Sequence, residues 1–437
     1  MSEGKHAQLG DLVSSPQSGV SVNSEDRPHR AGEIGVLKTS AVYAGQFRPG
    51  ENKAVLPGER DRVRVPVVKG SIIISRMNTP EFVGASCYVD QNHDTLFLPD
   101  RLWRVLPKDG ASTNMRWLSY VLLSDQFRRH VDTYATGTSG SMKNLSKANL
   151  LGFEFASPPQ DHQSKIAEIL DTLDEAIRGT EAVVAKLKAI KQGLLHDLLT
   201  RGIDANGDLR PPHTESPHLY KETLLGWRPK EWDVESLGDA SESIIDGPFG
   251  SNLKTEHYVE EPGVRVVRLQ NIQDGYFDDT EKAYIRESHA AKLARNEVVP
   301  GDVLIASLGD DGHPVGRSCR YPFEYPSAIN KADCFRFRGK PCCRNGFVTL
   351  FLNGEIARRQ ARGYEQGVTM KRINLGNLRK IKIWLPKPAE QEAIEQRAEA
   401  ANASHSEWLS ELVKLRLQKS GLMDDLLTGR VAVTPLL

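Results

Sequence analysis

Two stretches of the chain place apolar residues at alternating steps of four and three. Over 163–199 they are Ile166, Leu170, Leu173, Ile177, Val184, Leu187, Leu194 and Leu198, with Thr180 and Lys191 filling the remaining positions. Over 391–427 they are Ile394, Ala398, Ala401, Trp408, Leu412, Leu415, Leu422 and Leu426. This is the spacing of a heptad seam, along which one helix meets another, and it predicts two long helices. The register is shared: Gln163 to Gln391 and Leu198 to Leu426 are both 228 residues apart. The ends repeat as well, Asp197-Leu198-Leu199-Thr200 against Asp425-Leu426-Leu427-Thr428. An amphipathic helix alone is usually a core helix, but a gapless register through so many identities marks an internal duplication.

The repeat continues outside the helices. Leu9-Gly10-Asp11 matches Leu237-Gly238-Asp239, Met142-Lys143 matches Met370-Lys371, and Asn149-Leu150 matches Asn377-Leu378. Small drifts, as at Gly45 and Phe47 against Gly275 and Phe277, have the size of surface-loop insertions. Short β-branched and aromatic runs bounded by Gly, Pro or Asp predict strands at 34–38, 71–75, 102–106 and 153–156, then at 264–269, 303–306, 334–337 and 381–385. A helix is expected late in each half, at 115–131 and 347–362. The prolines Pro158-Pro159 and Pro386 to Pro388 stop each last strand before its long helix.

The order is therefore globular half, helix, globular half, helix. We assign 1–157 to a first domain, 158–203 to the first long helix, 204–226 to a Pro- and Gly-containing linker, 227–385 to a second domain, 386–431 to the second helix and 432–437 to a tail. The fold class is α+β: two similar α/β domains separated by two long antiparallel, coiled-coil-like helices in a pseudo-twofold repeat.

Composition narrows the function. The 437 residues are 39% hydrophobic and 26% charged, in the range of soluble globular proteins. No apolar run approaches a membrane span. The polar first 26 residues lack an apolar signal core, so a cytoplasmic protein is expected. The five cysteines, Cys87, Cys319, Cys334, Cys342 and Cys343, lack zinc-ligand spacing and read as buried or free thiols. With 57 basic and 57 acidic side chains the net charge is zero, so any nucleic-acid contact must come from locally gathered cations.

The helix ends read GLLHDLLTRGI and GLMDDLLTGRV, the second half opens with GWRPKEWDVESLGD, and the junctions read MKNLSKANLLGFEFASPPQDHQSKIAEIL and MKRINLGNLRKIKIWLPKPAEQEAI. Together these resemble the specificity subunit of a Type I restriction–modification system, over nearly the whole chain. The resemblance implies two target recognition domains that each read one half of a bipartite, asymmetric double-stranded DNA sequence, with the paired helices as ruler between them. It implies docking of two methyltransferase subunits and of restriction/translocase subunits. It also implies no cofactor on this chain, the partners using S-adenosylmethionine, ATP and magnesium. A helix of about 36 residues spans roughly 54 Å at 1.5 Å per residue, long enough to hold two domains along a duplex whose turn is about 34 Å.

Candidate DNA-binding residues follow from chemistry and repeat. The segment Gly137-Thr138-Ser139-Gly140-Ser141-Met142-Lys143-Asn144 matches Gln366-Gly367-Val368-Thr369-Met370-Lys371-Arg372. Small hydroxylated residues followed by a cation suit phosphate contact, which singles out Thr138, Ser139, Ser141, Lys143 and Asn144, with Thr369, Lys371 and Arg372. Arg and Lys read guanine edges, and Asn and Gln read adenine. Base-reading candidates therefore follow the first paired strand, Lys38 and Ser40 against Arg268, Gln270 and Asn271, and the second, Arg76 and Asn78 against Ser307. Basic clusters around Arg128-Arg129 and Arg358-Arg359 add cations to each half. The seam residues of both helices, Trp408 among them, are the helix-pairing set.

Catalytic machinery is not legible. There is no Gly-x-x-x-x-Gly-Lys-Ser/Thr phosphate loop. Ser157-Pro158-Pro159-Gln160 resembles an amino-methyltransferase motif but has Gln160 where that motif needs an aromatic platform for a flipped base. Asp310, Asp311 and His313 could suggest a metal, yet an acidic, Gly-containing loop accounts for them. A non-catalytic DNA reader is the leading reading. A coiled-coil scaffold whose globular domains bind protein is the alternative.

Overall fold

The structure, a computed structural model, describes residues 5–436 apart from Ala44, Gly140, Leu224 and Phe249. It divides into two compact units. The first comprises Met1–Ala182 and Ser410–Leu437, the second Val183–Leu409, so each unit takes a globular half and one half of each long helix.

The two units repeat one topology. In the first, a four-stranded sheet runs in the order Ser86–Tyr88, Ile72–Ser75, Leu102–Val105, Gln17–Ser18, all antiparallel. In the second the order is Ser318–Arg320, Val303–Ala306, Cys334–Gly339, Ser241–Ile245, again antiparallel. A five-stranded sheet follows in each. It runs Ser24–Glu25, Asn52–Val55, Gly35–Leu37, His93–Phe97, Pro66–Val67 in the first unit, and Tyr258–Val259, Tyr284–Ile285, Val264–Val267, Ala328–Asn330, Glu297–Val298 in the second. Each five-stranded sheet has its parallel pair at the same place, Gly35–Leu37 beside His93–Phe97 and Val264–Val267 beside Ala328–Asn330.

The predicted strands form because their side chains are buried on both faces. Ile72, Ile73 and Ile74 are fully buried, as are Val303, Leu304, Ile305 and Ala306. Each large aliphatic side chain so placed contributes about 1.5–3 kcal/mol, enough to fix a strand without strict alternation. A strand that the pattern did not predict closes each domain. Lys5–Gln8 pairs with Glu154–Ser157, and Asp233–Ser236 pairs with Lys382–Leu385, tying the start of each domain to the strand just before its long helix. The expected helices at 115–131 and 347–362 are each two. Met115–Val121 and Asp125–Tyr134 part at Ser124, whose hydroxyl accepts from the Phe127 N–H, and Asn345–Asn353 and Glu355–Arg362 part at Gly354.

The long helices are Gln160–Thr200 and Pro388–Leu427. In each unit the start of one helix and the end of the other enter a common core: Ile166, Ala167 and Leu170 with Leu426, and Ile394 and Ala398 with Leu198 and Leu199. The helix segments in each unit are therefore antiparallel. Burial along the first helix follows its apolar positions. Ile166, Leu170, Ile177, Thr180 and Leu198 are buried, and Leu173, Val184, Leu187 and Leu194 are half-buried. In the second helix Ile394, Leu412 and Leu426 are buried and Leu415 and Leu422 half-buried. Trp408 departs from the expectation, standing 38% exposed. Its counterpart in the repeat is Thr180, which is small enough to be covered at that position, whereas an indole is not.

The stretch 204–226, read as a linker, is held to its unit. The Ile203 N–H and the Arg210 guanidinium both donate to Glu390, as does the Trp232 indole N–H. Among the described residues no helix is long and apolar enough to cross a membrane. The five cysteines are free, all but Cys342 buried, and burial pushes the Cys87, Cys319 and Cys343 thiols up to about 12.

Candidate nucleic-acid interface

A small antiparallel hairpin sheet is built twice, once on each four-stranded sheet. In the first unit Met77–Asn78 pairs with Met142–Asn144, setting Asn78 opposite Lys143, and Thr136–Ser139 flanks the other side. In the second unit Leu308–Gly309 pairs with Lys371–Arg372, setting Gly309 opposite Lys371. The anchoring bond is the same. The Leu145 N–H donates to the Arg76 carbonyl at 2.9 Å, and the Ile373 N–H to the Ser307 carbonyl at 2.9 Å. A glycine shapes each tip. A methyl group on Gly137 would lie 2.2 Å from the Met142 carbonyl oxygen, and one on Gly367 would lie 2.2 Å from that of Met370. Any larger residue would force the hairpin open.

This sheet gathers Arg76, Asn78, Ser141, Lys143 and Asn144 in one unit, and Ser307, Thr369, Lys371 and Arg372 in the other. The side chains of Thr138 and Ser139 lie outside the described residues. Lys371 stands 3.7 Å from the exposed Asp311, and Arg372 stands 2.8 Å from Asp333. Such exposed pairs are worth at most about 1 kcal/mol, so a phosphate can replace either acid at little cost. The remaining members have local roles. Asn78 donates to Ser75 and accepts from the Thr79 N–H, and the Arg76 guanidinium lies 5.8 Å from the Trp103 ring centre. Ser307 is buried, with its hydroxyl 3.2 Å from Asp333, so it is a poor base reader in this geometry.

The other candidates are not drawn into the hairpin sheet. Lys38 and Arg268 occupy the same place in the repeat, each capping a 3-10 turn after the parallel-paired strand. Lys38 pairs with Asp26 at 2.9 Å, and Ser40 donates to Glu51. Arg268 and Gln270 both reach Glu281. Asn271 is buried. Its amide donates to the Asp278 and Glu281 carbonyls and accepts from the Arg268 N–H, so it holds the turn and does not face outward. The basic clusters are partly self-neutralised: Arg128 pairs with Asp132, Arg358 with Asp274 and Arg362 with Glu355. In the loop at 310–313 the Asp310 carboxylate is bonded by the His313 N–H, the His313 ring and the Gly312 N–H, and the His313 bonds above all hold it below the usual carboxylate range.

Two residues that position each domain escaped the sequence reading. Gln163 accepts from the Asn114 N–H at 2.8 Å and donates to the Pro158 carbonyl at 2.9 Å. Gln391 accepts from the Arg344 N–H at 2.8 Å and donates to the Pro386 carbonyl at 2.7 Å. Both are buried, and both seat a domain helix on its long helix by the same bonds. The signal was present: a polar side chain at an apolar seam position, in both copies. Each seat also has charge of its own. In the first unit Tyr120 lies 2.7 Å from Asp171 and 2.7 Å from Asp174, while Arg116 and Lys419 balance the two acids. Burial, and then the two acids, raise the Tyr120 hydroxyl far above its ordinary value. In the second unit Arg344 pairs with Glu395 at 2.9 Å.

Comparison with known proteins follows the same lines. The family described as Type I restriction modification DNA specificity domain matches residues 1–189. The EcoEI specificity subunit of Escherichia coli is 27% identical over 197 residues, which is 44% of this chain and 32% of that protein. A Methanocaldococcus jannaschii protein assigned as the Type I restriction enzyme MjaX specificity subunit is 23% identical over 375 residues, 86% of this chain and 81% of that one. The crystal structure of the S subunit of a Type I restriction–modification system from M. genitalium shares the fold at a TM-score of 0.57, with 15% identity, covering 97% of this chain and 96% of that one. A chain from a structural study of Type I system assembly superposes at 0.56 with 14% identity, covering 98% of both. The twin domains, the long helices and these similarities agree: residues 1–189 match the Type I restriction modification DNA specificity domain, and the chain as a whole is similar in sequence and fold to specificity subunits of Type I restriction–modification systems.

Proposed function

We propose that this chain reads a bipartite, asymmetric DNA target, one short sequence per domain, and performs no chemistry of its own. The hairpin sheet built twice on equivalent strands carries this reading, because two copies of one contact device suit two places on a duplex. The residues that differ between the copies, Asn78 against Gly309 and Asn144 against Arg372, suit two different half-sites. Phosphate contacts set position and base-edge contacts set sequence, so the cations serve the first task and the side chains at the tips the second.

Docking of methyltransferase subunits in the cytoplasm, with restriction/translocase subunits joining them, completes the proposal. The partners bring S-adenosylmethionine, ATP and magnesium. Exposed Val413 and Leu417, four residues apart on one face of the second long helix, suit an apolar partner surface. The test is selection from a random duplex pool by the full chain assembled with a methyltransferase partner. Enrichment of a split sequence, with affinity falling as salt rises, supports the reading. Salt-independent capture of no preferred sequence favours the protein-binding scaffold.

A further inference from the structure

The tip of the second hairpin carries apolar side chains where none is needed for the fold. Val368 is 93% exposed, the highest value of any large apolar residue among those described, and Met370, two residues on, is 55% exposed. Scattered surface apolar residues call for no explanation, but these two stand on one hairpin tip closed by backbone hydrogen bonds. Gln366 and Arg372 exchange N–H···O bonds of 2.9 and 2.8 Å across the hairpin. Gly367 adopts a φ of +101°, in the left-handed region, directly before Val368. The backbone thus holds Val368 and Met370 out from the protein with Lys371 and Arg372 immediately behind them. The first hairpin differs in sequence: Gly140 stands at the place of Val368, and its Met142 is half-buried.

Resting on the DNA-reading function proposed above, we propose that Val368 and Met370 form a thymine-reading site, contacting the 5-methyl groups of thymine in the major groove of the half-site bound by the second domain. A two-stranded ribbon fits that groove, and an apolar side chain against the thymine methyl is one of its direct contacts. Charge complementarity supports duplex DNA as the occupant: Lys371 and Arg372 follow the apolar tip in the same strand, where phosphates flank the groove. No such contact is available to the polar tip of the first domain, so thymine-methyl dependence belongs to one half-site only.

The experiment uses the full chain with the duplex it selects from a random pool, in which each thymine is replaced in turn by deoxyuridine, deleting one methyl group. Wild type is expected to lose about fourfold in affinity at one or two positions of one half-site, the ratio for about one buried carbon. The exposed double variant Val368→Ser, Met370→Gln, with its fold checked by thermal unfolding, is expected to lose that sensitivity while keeping the salt slope set by Lys371. Uniform wild-type affinity across all deoxyuridine duplexes would overturn the proposal, as would a penalty that persists unchanged in the variant. A rise in 2-aminopurine fluorescence at a base step without any deoxyuridine penalty would also overturn it, in favour of a wedge. If no sequence is selected at all, the DNA-reading function itself fails, and the thymine site with it.

Discussion

Gln163 and Gln391 illustrate how much a single side chain can settle. Each joins a long helix to a domain helix through a buried amide that accepts from one backbone N–H and donates to a carbonyl. Removing the amide strands a buried donor, which costs about 1–3 kcal/mol. Gln391→Ala is expected to lower stability by that amount in urea unfolding, and a change below about 0.5 kcal/mol would show the seat to be dispensable. Gly367→Ala is expected to act elsewhere. A methyl group there would lie 2.2 Å from the Met370 carbonyl oxygen and open the exposed tip locally, so DNA affinity should drop about tenfold while thermal stability stays close to wild type. Loss of global stability instead would mean that the tip supports the core. Residue-scale reading from sequence was the weakest. Asn271 and Ser307 have the right chemistry for base edges, yet tertiary packing turns both inward, and nothing in their local pattern reports the direction. Lys143 and Lys371 were singled out because Met-Lys recurs at the offset of 228, whereas Gly137 and Gly367 do not share that offset and drew no notice.

At the level of elements the heptad pattern was the most legible feature, since a narrow apolar stripe over 36 residues has few other structures to adopt. The closing strands Lys5–Gln8 and Asp233–Ser236 were not, because half-polar edge strands lack an apolar run, and their partners lie more than a hundred residues away. The breaks at Ser124 and Gly354 were missed because apolar periodicity resumes after each of them. If the long helices act as the ruler, lengthening both must lengthen the gap in the target. Inserting one heptad after Ala185 and one after Ser410 adds about 10 Å at 1.5 Å per residue. The preferred spacer should grow by about three base pairs, with both half-sites unchanged. An unaltered spacer in a methylation assay would remove the ruler from the account.

For the molecule as a whole, zero net charge sets the terms of DNA binding. Affinity must come from a few local cations and not from an overall positive field, so the salt slope should be shallow, at about 0.9 per phosphate neutralised. Lys371→Ala is expected to lower the slope by about 1 and to weaken binding evenly across sequences. A loss confined to one base position would make Lys371 a base reader. The duplication accounts for the rest of the design: one topology, used twice, presents the same hairpin from two units that share two helices. The measurement that tests this most directly is genome-wide mapping of methylated adenines in a host carrying the chain with its methyltransferase partner, compared with the same host lacking the chain. The account predicts two short, different half-sites separated by a constant, unspecified gap, all lost without the chain. A single contiguous motif, or methylation unchanged by the deletion, would contradict it.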